Sequence, residues 1–124
     1  MVDHIGLRVK DLKASVRLYS ALLTPLEYEL VAEGDDYAGY GKAGRVELWL
    51  HPNPDLDSAR NGAHVAFRAA NRKAVQAFHK AGLKHDGRDH GAPGLRKDYG
   101  EGYYAAFILD GNGNNLEAVF QEAT

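Results

Sequence analysis

The stretch Asp3-His4-Ile5-Gly6-Leu7-Arg8-Val9 has a counterpart later in the chain, Ala63-His64-Val65-Ala66-Phe67-Arg68-Ala69. In each stretch apolar and polar residues alternate, a pattern that predicts a half-buried β-strand. A histidine opens both runs, and an arginine follows four residues later. Next come Asp11 and Asn71, residue types that favour the start of a helix, and each is followed by a helical pattern. The repetition predicts a chain made of two similar halves.

The two halves predict the same order of elements. In the first half we expect a helix over residues 11 to 23, then strands near 27 to 33, 37 to 41 and 45 to 51. In the second half we expect a helix over residues 72 to 81, then strands near 83 to 87, 103 to 109 and 115 to 120.

The connections carry equally clear patterns. Gly82 is expected to cap the second helix. A polar connector over about residues 52 to 62 joins the halves. Residues 86 to 102, which are rich in glycine and charge, predict a long loop that is either solvated or gates a substrate. The run Asp110-Gly111-Asn112-Gly113-Asn114 predicts a hairpin turn.

The composition excludes several classes of function. A chain of 124 residues with 44% hydrophobic residues is long enough for one domain with a real core. The net charge of −2 gives no electrostatic reason to expect nucleic acid or an anionic membrane as a partner. The absence of cysteine excludes disulfides, thiolate zinc sites and cysteine nucleophiles. The N-terminus lacks a signal-peptide pattern and no apolar run approaches ~18 residues, so we expect a cytoplasmic protein.

Each half also has a glutamate inside an apolar strand, Glu47 in Val46-Glu47-Leu48 and Glu117 in Leu116-Glu117-Ala118. Alternation places each glutamate, like His4 and His64, opposite the apolar face of its strand. If the two sheets curve in the same direction, the four side chains line one concave surface. Two imidazoles and two carboxylates suit a divalent ion such as Zn, Ni, Mn or Fe. Taken singly, a histidine or glutamate on a strand is more often structural or solvent-facing, so the duplicated placement is what favours a metal site.

With these residues identified, the chain resembles the vicinal oxygen chelate superfamily, which includes glyoxalase I, fosfomycin-resistance proteins, extradiol dioxygenases and bleomycin-resistance proteins. The resemblance rests on residues 4 to 12 with Ser15 and Tyr19, on residues 62 to 65, and on residues 110 to 117. The last segment is close to Asp-Pro-Asp-Gly-Asn-x-x-Glu, with Gly-Asn in place of Pro-Asp. The resemblance implies a glyoxalase-like α+β fold over residues 1–124, in which two βαβββ modules, about 1–52 and 60–124, form a cupped mixed sheet.

The resemblance also implies roles for individual residues. His64 and Glu117 would be metal ligands from the second module and His4 from the first, and Glu47 looks like the fourth ligand of glyoxalase I. Glu117 would be the catalytic base, with Glu47 as its counterpart. Arg8 and Arg60 look like the arginines that bind glutathione carboxylates in glyoxalase I. The other substrate-binding candidates are Trp49, His51 (where glyoxalase I commonly has Asn) and Tyr104. Tyr104 represents the Tyr103-Tyr104 pair, of which one member should face the site, and core packing is the alternative role for either.

Four functions remain open at this stage. A glyoxalase-like isomerase or lyase would act on a hemithioacetal or α-hydroxycarbonyl compound, with glutathione as a possible co-substrate. A thiol transferase like the fosfomycin-resistance proteins would need three ligands, so Glu47 as a non-ligand would favour it. A small ring-cleaving dioxygenase and a non-enzymatic drug-binding module are the other two. For each we expect a small-molecule ligand and a homodimer, whose sites lie within one chain or are shared between two.

Overall fold

The computed structural model describes residues 1–122, which form two four-stranded sheets with one long helix each. The elements of the first module are β1 (Ile5–Val9), α1 (Leu12–Leu23), β2 (Glu29–Glu33), β3 (Ala38–Lys42) and β4 (Arg45–Pro52). Those of the second are β5 (His64–Arg68), α2 (Arg72–Lys84), β6 (Arg88–Leu95), β7 (Tyr103–Leu109) and β8 (Asn115–Gln121). The α+β fold with two βαβββ modules is therefore confirmed.

The two sheets have the same topology. The strand orders are β1-β4-β3-β2 and β5-β8-β7-β6. In each sheet the first strand of the module runs parallel to the last, and the remaining neighbours are antiparallel. The parallel pairs align Leu7 with Leu50 in the first module and Phe67 with Ala118 in the second. Because the pairing is known residue by residue, equivalent positions in the two modules can be identified from it.

Both helices begin where their sequences predict. The side chain of Asp11 accepts a hydrogen bond from the Ala14 N–H at 3.2 Å, and that of Asn71 accepts one from the Ala74 N–H at 2.8 Å. One face of each helix packs against its sheet, and a single apolar core includes residues of both modules, among them Leu7, Leu22, Leu50, Phe78 and Ile108. No helix within residues 1–122 is both long and apolar enough to span a membrane.

Helix α2 is longer than predicted, and the role assigned to Gly82 is wrong. The helix continues to Lys84, so Gly82 lies inside it and the strand predicted near 83 to 87 does not form there. Gly82 is buried beneath the neighbouring elements, where a Cβ atom would lie 2.8 Å from the side chain of Ile108 and 2.9 Å from that of Leu22. A glycine in this helix therefore reflects close packing rather than termination.

The long loop predicted over residues 86 to 102 contains a strand at its centre. β6 occupies eight of these residues and pairs antiparallel with β7 at the sheet edge. Its register shifts near Gly91 and Gly94, so side chains do not alternate in the way that a strand prediction requires. A short 3-10 helix at Lys97–Tyr99 and a turn complete the segment.

The predicted turn at residues 110 to 114 is confirmed, and it also ties the modules together. The Asp110 carboxylate accepts hydrogen bonds from the Asn112 N–H at 2.7 Å and from the buried Tyr19 hydroxyl at 2.6 Å. Asn112 accepts one from the Lys10 N–H at 2.9 Å, and Asn114 donates one to the Arg8 carbonyl at 3.2 Å. Burial, followed by the charge of Asp110, raises the pKa of Tyr19 well above its ordinary value.

Candidate active site

His64 and Glu117 form the centre of the candidate site. Nε2 of His64 lies 2.7 Å from Oε1 of Glu117, and the imidazole donates to the carboxylate. The Glu117 side chain is only 2% exposed, whereas that of His64 is 55% exposed. A buried carboxylate is costly unless it is hydrogen-bonded or bound to a cation. The pair is thus a buried anion reached from solvent through the histidine.

Tyr103 is the second hydrogen-bond partner of the Glu117 carboxylate. Its hydroxyl donates a hydrogen bond to Oε2, so both oxygens of the buried carboxylate have a partner. Burial, then the hydrogen bond to Glu117 and its charge, raise the pKa of Tyr103 to about 12. Tyr103 is therefore protonated at neutral pH and acts there as a hydrogen-bond donor.

The expectation for Tyr104 is wrong. Because side chains alternate along β7, Tyr104 points to the opposite face, where it is buried against α2 and accepts a hydrogen bond from Gln76 at 2.9 Å. The tyrosine that reaches Glu117 is Tyr103. The predicted turn at residues 110 to 114 carried the relevant signal, since a regular hairpin pairs Phe107 with Glu117 and so places Tyr103, four residues earlier, on the same face.

Aromatic side chains surround the pair. The Phe107 ring lies next to that of His64, with 6.1 Å between ring centroids, and Tyr99 packs edge-on against Tyr103 at 5.5 Å. The guanidinium of Arg96 lies over the Phe107 ring, 5.5 Å from its centroid. Arg96 was not singled out as a site residue, because the strand that precedes it was taken for part of a loop.

The first-module candidates lie on the other sheet. His4 is exposed, and its Nδ1 bonds to the neighbouring Asp3 carboxylate at 2.7 Å. Glu47 is exposed near the start of β4, where its charge contributes to the raised pKa of Tyr28 after the larger effect of burial. No group of three or more His, Asp or Glu side chains in the described part of the chain converges as a metal site. The structure brings His64 and Glu117 together, and it does not bring His4 and Glu47 to them.

Glu47 and Glu117 are not equivalent in the two modules. Glu117 pairs with Ala66, two residues after His64, whereas the residue that pairs with Gly6, two residues after His4, is Trp49. A register shift between β3 and β4 falls at Glu47, because Tyr40 pairs with Leu48 and the next residue, Gly41, pairs with Val46. The premise that the two glutamates are placed alike is therefore wrong, and Trp49 holds the position that corresponds to Glu117.

A cleft of about 790 Å³ opens beside Trp49 on the exposed face of the first sheet. Its walls include His4, Gly6, Tyr37 and His51, and the rings of Tyr37 and Trp49 meet edge to face with 6.0 Å between centroids. The cleft is large enough for a drug-sized molecule. Trp49 and His51, both predicted to bind a substrate, thus lie in one cleft.

The two arginines predicted to bind glutathione, Arg8 and Arg60, lie in different parts of the molecule. Arg8 is exposed on β1, on the same face as His4. Arg60 lies in the exposed connector between the modules, where its nearest acidic partner is Asp57 at 3.7 Å. The structure brings neither guanidinium into contact with His64 or Glu117.

Comparison with known proteins places this geometry in a family. The model of the Glyoxalase/Bleomycin resistance protein/Dioxygenase superfamily matches residues 1–118. No functionally curated protein matches the chain. A glyoxalase/bleomycin resistance protein from Albidiferax ferrireducens T118 is 23% identical, with 95% of this chain and 97% of that chain covered and a TM-score of 0.80.

Two further solved structures show the range of the similarity. A candidate glyoxalase from Bacillus halodurans is 26% identical, with 97% of this chain and 95% of that chain covered and a TM-score of 0.72. The bleomycin resistance determinant encoded on the transposon Tn5 is 16% identical, with 95% of each chain covered and a TM-score of 0.64. The family match over nearly the whole length shows that the chain belongs to the Glyoxalase/Bleomycin resistance protein/Dioxygenase superfamily.

Proposed function

We propose that the chain is a metal-dependent enzyme that holds a divalent ion with His4, His64 and Glu117 and acts on a small molecule with two neighbouring oxygen atoms. The observation that carries this proposal is that Trp49, rather than Glu47, pairs with β1 at the position equivalent to Glu117. Glu47 is therefore left out of the ligand set. Two histidines and one carboxylate are a common ligand set for ions that keep open positions for a substrate.

The residues present fit such an ion. Glu117 and His64 supply an oxygen and a nitrogen that already lie within 2.7 Å of each other. His4 occupies the first-module position that corresponds to His64, and its Nδ1 is engaged by Asp3. A carboxylate on one ring nitrogen orients a histidine so that the other nitrogen can bind a metal. When bound, the ion would supply Lewis acidity toward the substrate oxygens.

The chain's own residues would hold Glu117 and His64 in place beside the substrate. Tyr103 holds Oε2 of Glu117, which leaves Oε1 and the imidazole of His64 as the groups directed toward the exposed side of the site. Its high pKa keeps the tyrosine protonated, so it holds the carboxylate and does not act as a base at neutral pH. The Phe107 ring, with its centroid 6.1 Å from that of His64, supplies an apolar surface beside the imidazole.

We also propose that the site is completed by a second copy of the chain. His64 and Glu117 lie on the second sheet, and His4 lies on the first. In a two-fold dimer in which the first module of one protomer packs against the second module of its partner, the same contact forms twice. Exposed apolar side chains at Leu30 and Tyr37, near the free edge of the first sheet, and at Leu95 and Tyr99, near the free edge of the second, support such an association.

Metal analysis of single variants tests the ligand set. Protein purified without a histidine tag should retain one ion per chain after supply of Zn, Ni, Mn or Fe. His4→Ala, His64→Ala and Glu117→Gln should each lose most of it, while the matched control Glu47→Gln should keep it. Loss of the ion in Glu47→Gln would indicate that Glu47 is a fourth ligand. Full retention of the ion in both His64→Ala and Glu117→Gln would refute the site. The identity of the ion separates the reactions, because iron would favour oxygen chemistry and zinc, nickel or manganese would favour isomerase or transferase chemistry.

A second candidate function is non-catalytic binding of an aromatic small molecule. The observation that favours it is the cleft where Tyr37 meets Trp49, the single tryptophan of the chain. Fluorescence of Trp49 in metal-free protein can be titrated with bleomycin as the probe. Saturable quenching together with no metal retention would support this function over the enzyme.

A further inference from the structure

Arg96 occupies an unusual position next to the His64–Glu117 pair. Its backbone N–H donates to the Tyr103 carbonyl at 2.8 Å, which fixes the start of its side chain beside β7. The side chain then folds back until its guanidinium lies over Phe107, 5.5 Å from the ring centroid. The same ring lies 6.1 Å from that of His64, so Phe107 is a shared neighbour of the arginine and the histidine.

The edge strand β6 is shaped around this guanidinium. The Ala92 carbonyl accepts a hydrogen bond from Nη2 of Arg96 at 2.6 Å. A Cβ atom on Gly91 would lie 3.1 Å from Nη2, and one on Gly94 would lie 3.2 Å from Nη1. The two glycines, where the strand register also shifts, leave the space that the guanidinium fills. Backbone, glycines and aromatic ring together hold the cation in one place.

The held cation has no carboxylate within 4.0 Å in residues 1–122, whereas Arg45, Arg60 and Arg72 each have one. Other arginines such as Arg88 also have none, and what distinguishes Arg96 is that its guanidinium is held against Phe107 and the Ala92 carbonyl. Glu117, the acidic group of the site, is engaged by His64 and Tyr103. A guanidinium carries five N–H donors in a planar fork that matches an oxyanion, and one of those on Arg96 goes to Ala92.

We propose that Arg96 recognises an anionic group, a carboxylate or another oxyanion, on the small molecule that binds at His64 and Glu117. The inference deepens the proposed function, on which it rests for the reaction that the molecule undergoes. It assigns anion recognition to the edge strand of the second sheet instead of to Arg8 or Arg60. The aromatic rings of Phe107, Tyr103 and Tyr99 would contact the rest of the molecule.

The test uses metal-free protein, so that it does not depend on an ion. Benzoate and the neutral, similarly shaped benzamide are the two probes, titrated separately and followed by proton–nitrogen NMR spectra that include the arginine Nε–Hε signals. We expect the native protein to prefer benzoate by about tenfold or more, and benzoate but not benzamide to shift the Arg96 Nε–Hε signal.

Variants then assign the preference to one residue. Arg96→Gln should abolish it, and Arg96→Lys should keep part of it. The matched control Arg88→Gln, which changes an exposed arginine at the start of β6, should keep all of it. The proposal is overturned if native protein shows no preference, if Arg96→Gln retains it, or if Arg88→Gln loses it equally. An unmoved Arg96 signal in the native protein overturns it as well, even where the Gln variant fails to fold. A benzoate preference in protein that never retains metal would keep this inference while removing the metal-dependent function.

Discussion

The hydroxyl of Tyr103 provides a quantitative test of how the site is built. Tyr103→Phe removes one of the two hydrogen bonds to the buried Glu117 carboxylate and leaves the aromatic ring in place. Hydrogen bonds to charged groups contribute about 1.5–3 kcal/mol to stability. Because Tyr103 is itself only half-buried, water can replace part of the lost bond, so the lower end of this range is expected.

The loss converts into a measurable shift in melting temperature. For a chain of 124 residues, an unfolding entropy of about 2.1 cal/mol/K per residue means that a loss of 1.5 kcal/mol lowers Tm by roughly 6 °C. The assay is thermal and urea unfolding of metal-free protein at neutral pH. Tyr99→Phe is the control, because Tyr99 is 64% exposed and its variant should stay within about 0.5 kcal/mol of native protein. A loss below about 0.5 kcal/mol in Tyr103→Phe would refute the assignment of Tyr103 as a partner of Glu117.

Three other predictions concern pH, packing and the turn between the modules. Folding raises the pKa of Tyr103 from about 10 to about 12, so its stabilising contribution is complete below pH 10 and is lost as pH rises through 12. Between pH 10 and pH 12 the free energy of unfolding of Tyr103→Phe should therefore fall less steeply than that of the native protein. Gly82→Ala should destabilise the protein by about 1–2 kcal/mol in urea unfolding, since overpacking outweighs the gain in helix propensity, and an equal or higher stability would contradict the packing. Asp110→Ala should cost about 2–4 kcal/mol because it leaves the buried Tyr19 hydroxyl without its partner, whereas the exposed control Asp98→Ala should change stability by less than about 0.5 kcal/mol.

Alternation along β4 was sufficient to predict which of its residues are buried, but not which residues correspond in the two modules. Leu48 and Leu50 are buried and Glu47 is exposed, as their spacing predicts. The register of β4 depends on a bulge opposite Gly41, where a Cβ would lie 1.6 Å from the Arg45 carbonyl oxygen. The hydrophobic pattern of a single sequence does not show where a strand bulges, so the equivalence of Trp49 to Glu117 was not predictable.

The second module shows the same limit at its edge. A glycine-rich strand with two register shifts has little alternation, so β6 resembled a loop in the sequence. With β6 unrecognised, Arg96 had no predicted neighbours, although Tyr103 and Phe107 lie on the adjacent strand. His64 and Glu117, by contrast, lie in short continuous stretches whose pattern is visible in the sequence, the repeated strand at 63 to 69 and the strand after the turn at 110 to 114.

The central claim, that His4 of one protomer completes the His64–Glu117 site of its partner, is tested most directly by mixing two defective variants. His4→Ala and Glu117→Gln homodimers should each retain little metal. After they are unfolded together and refolded, half of the dimers at random pairing are mixed, and each mixed dimer has one intact site. The proposal predicts that metal retention returns in the mixture to about a quarter of the native level per chain. Retention no higher than that of the separate variants would contradict a shared site.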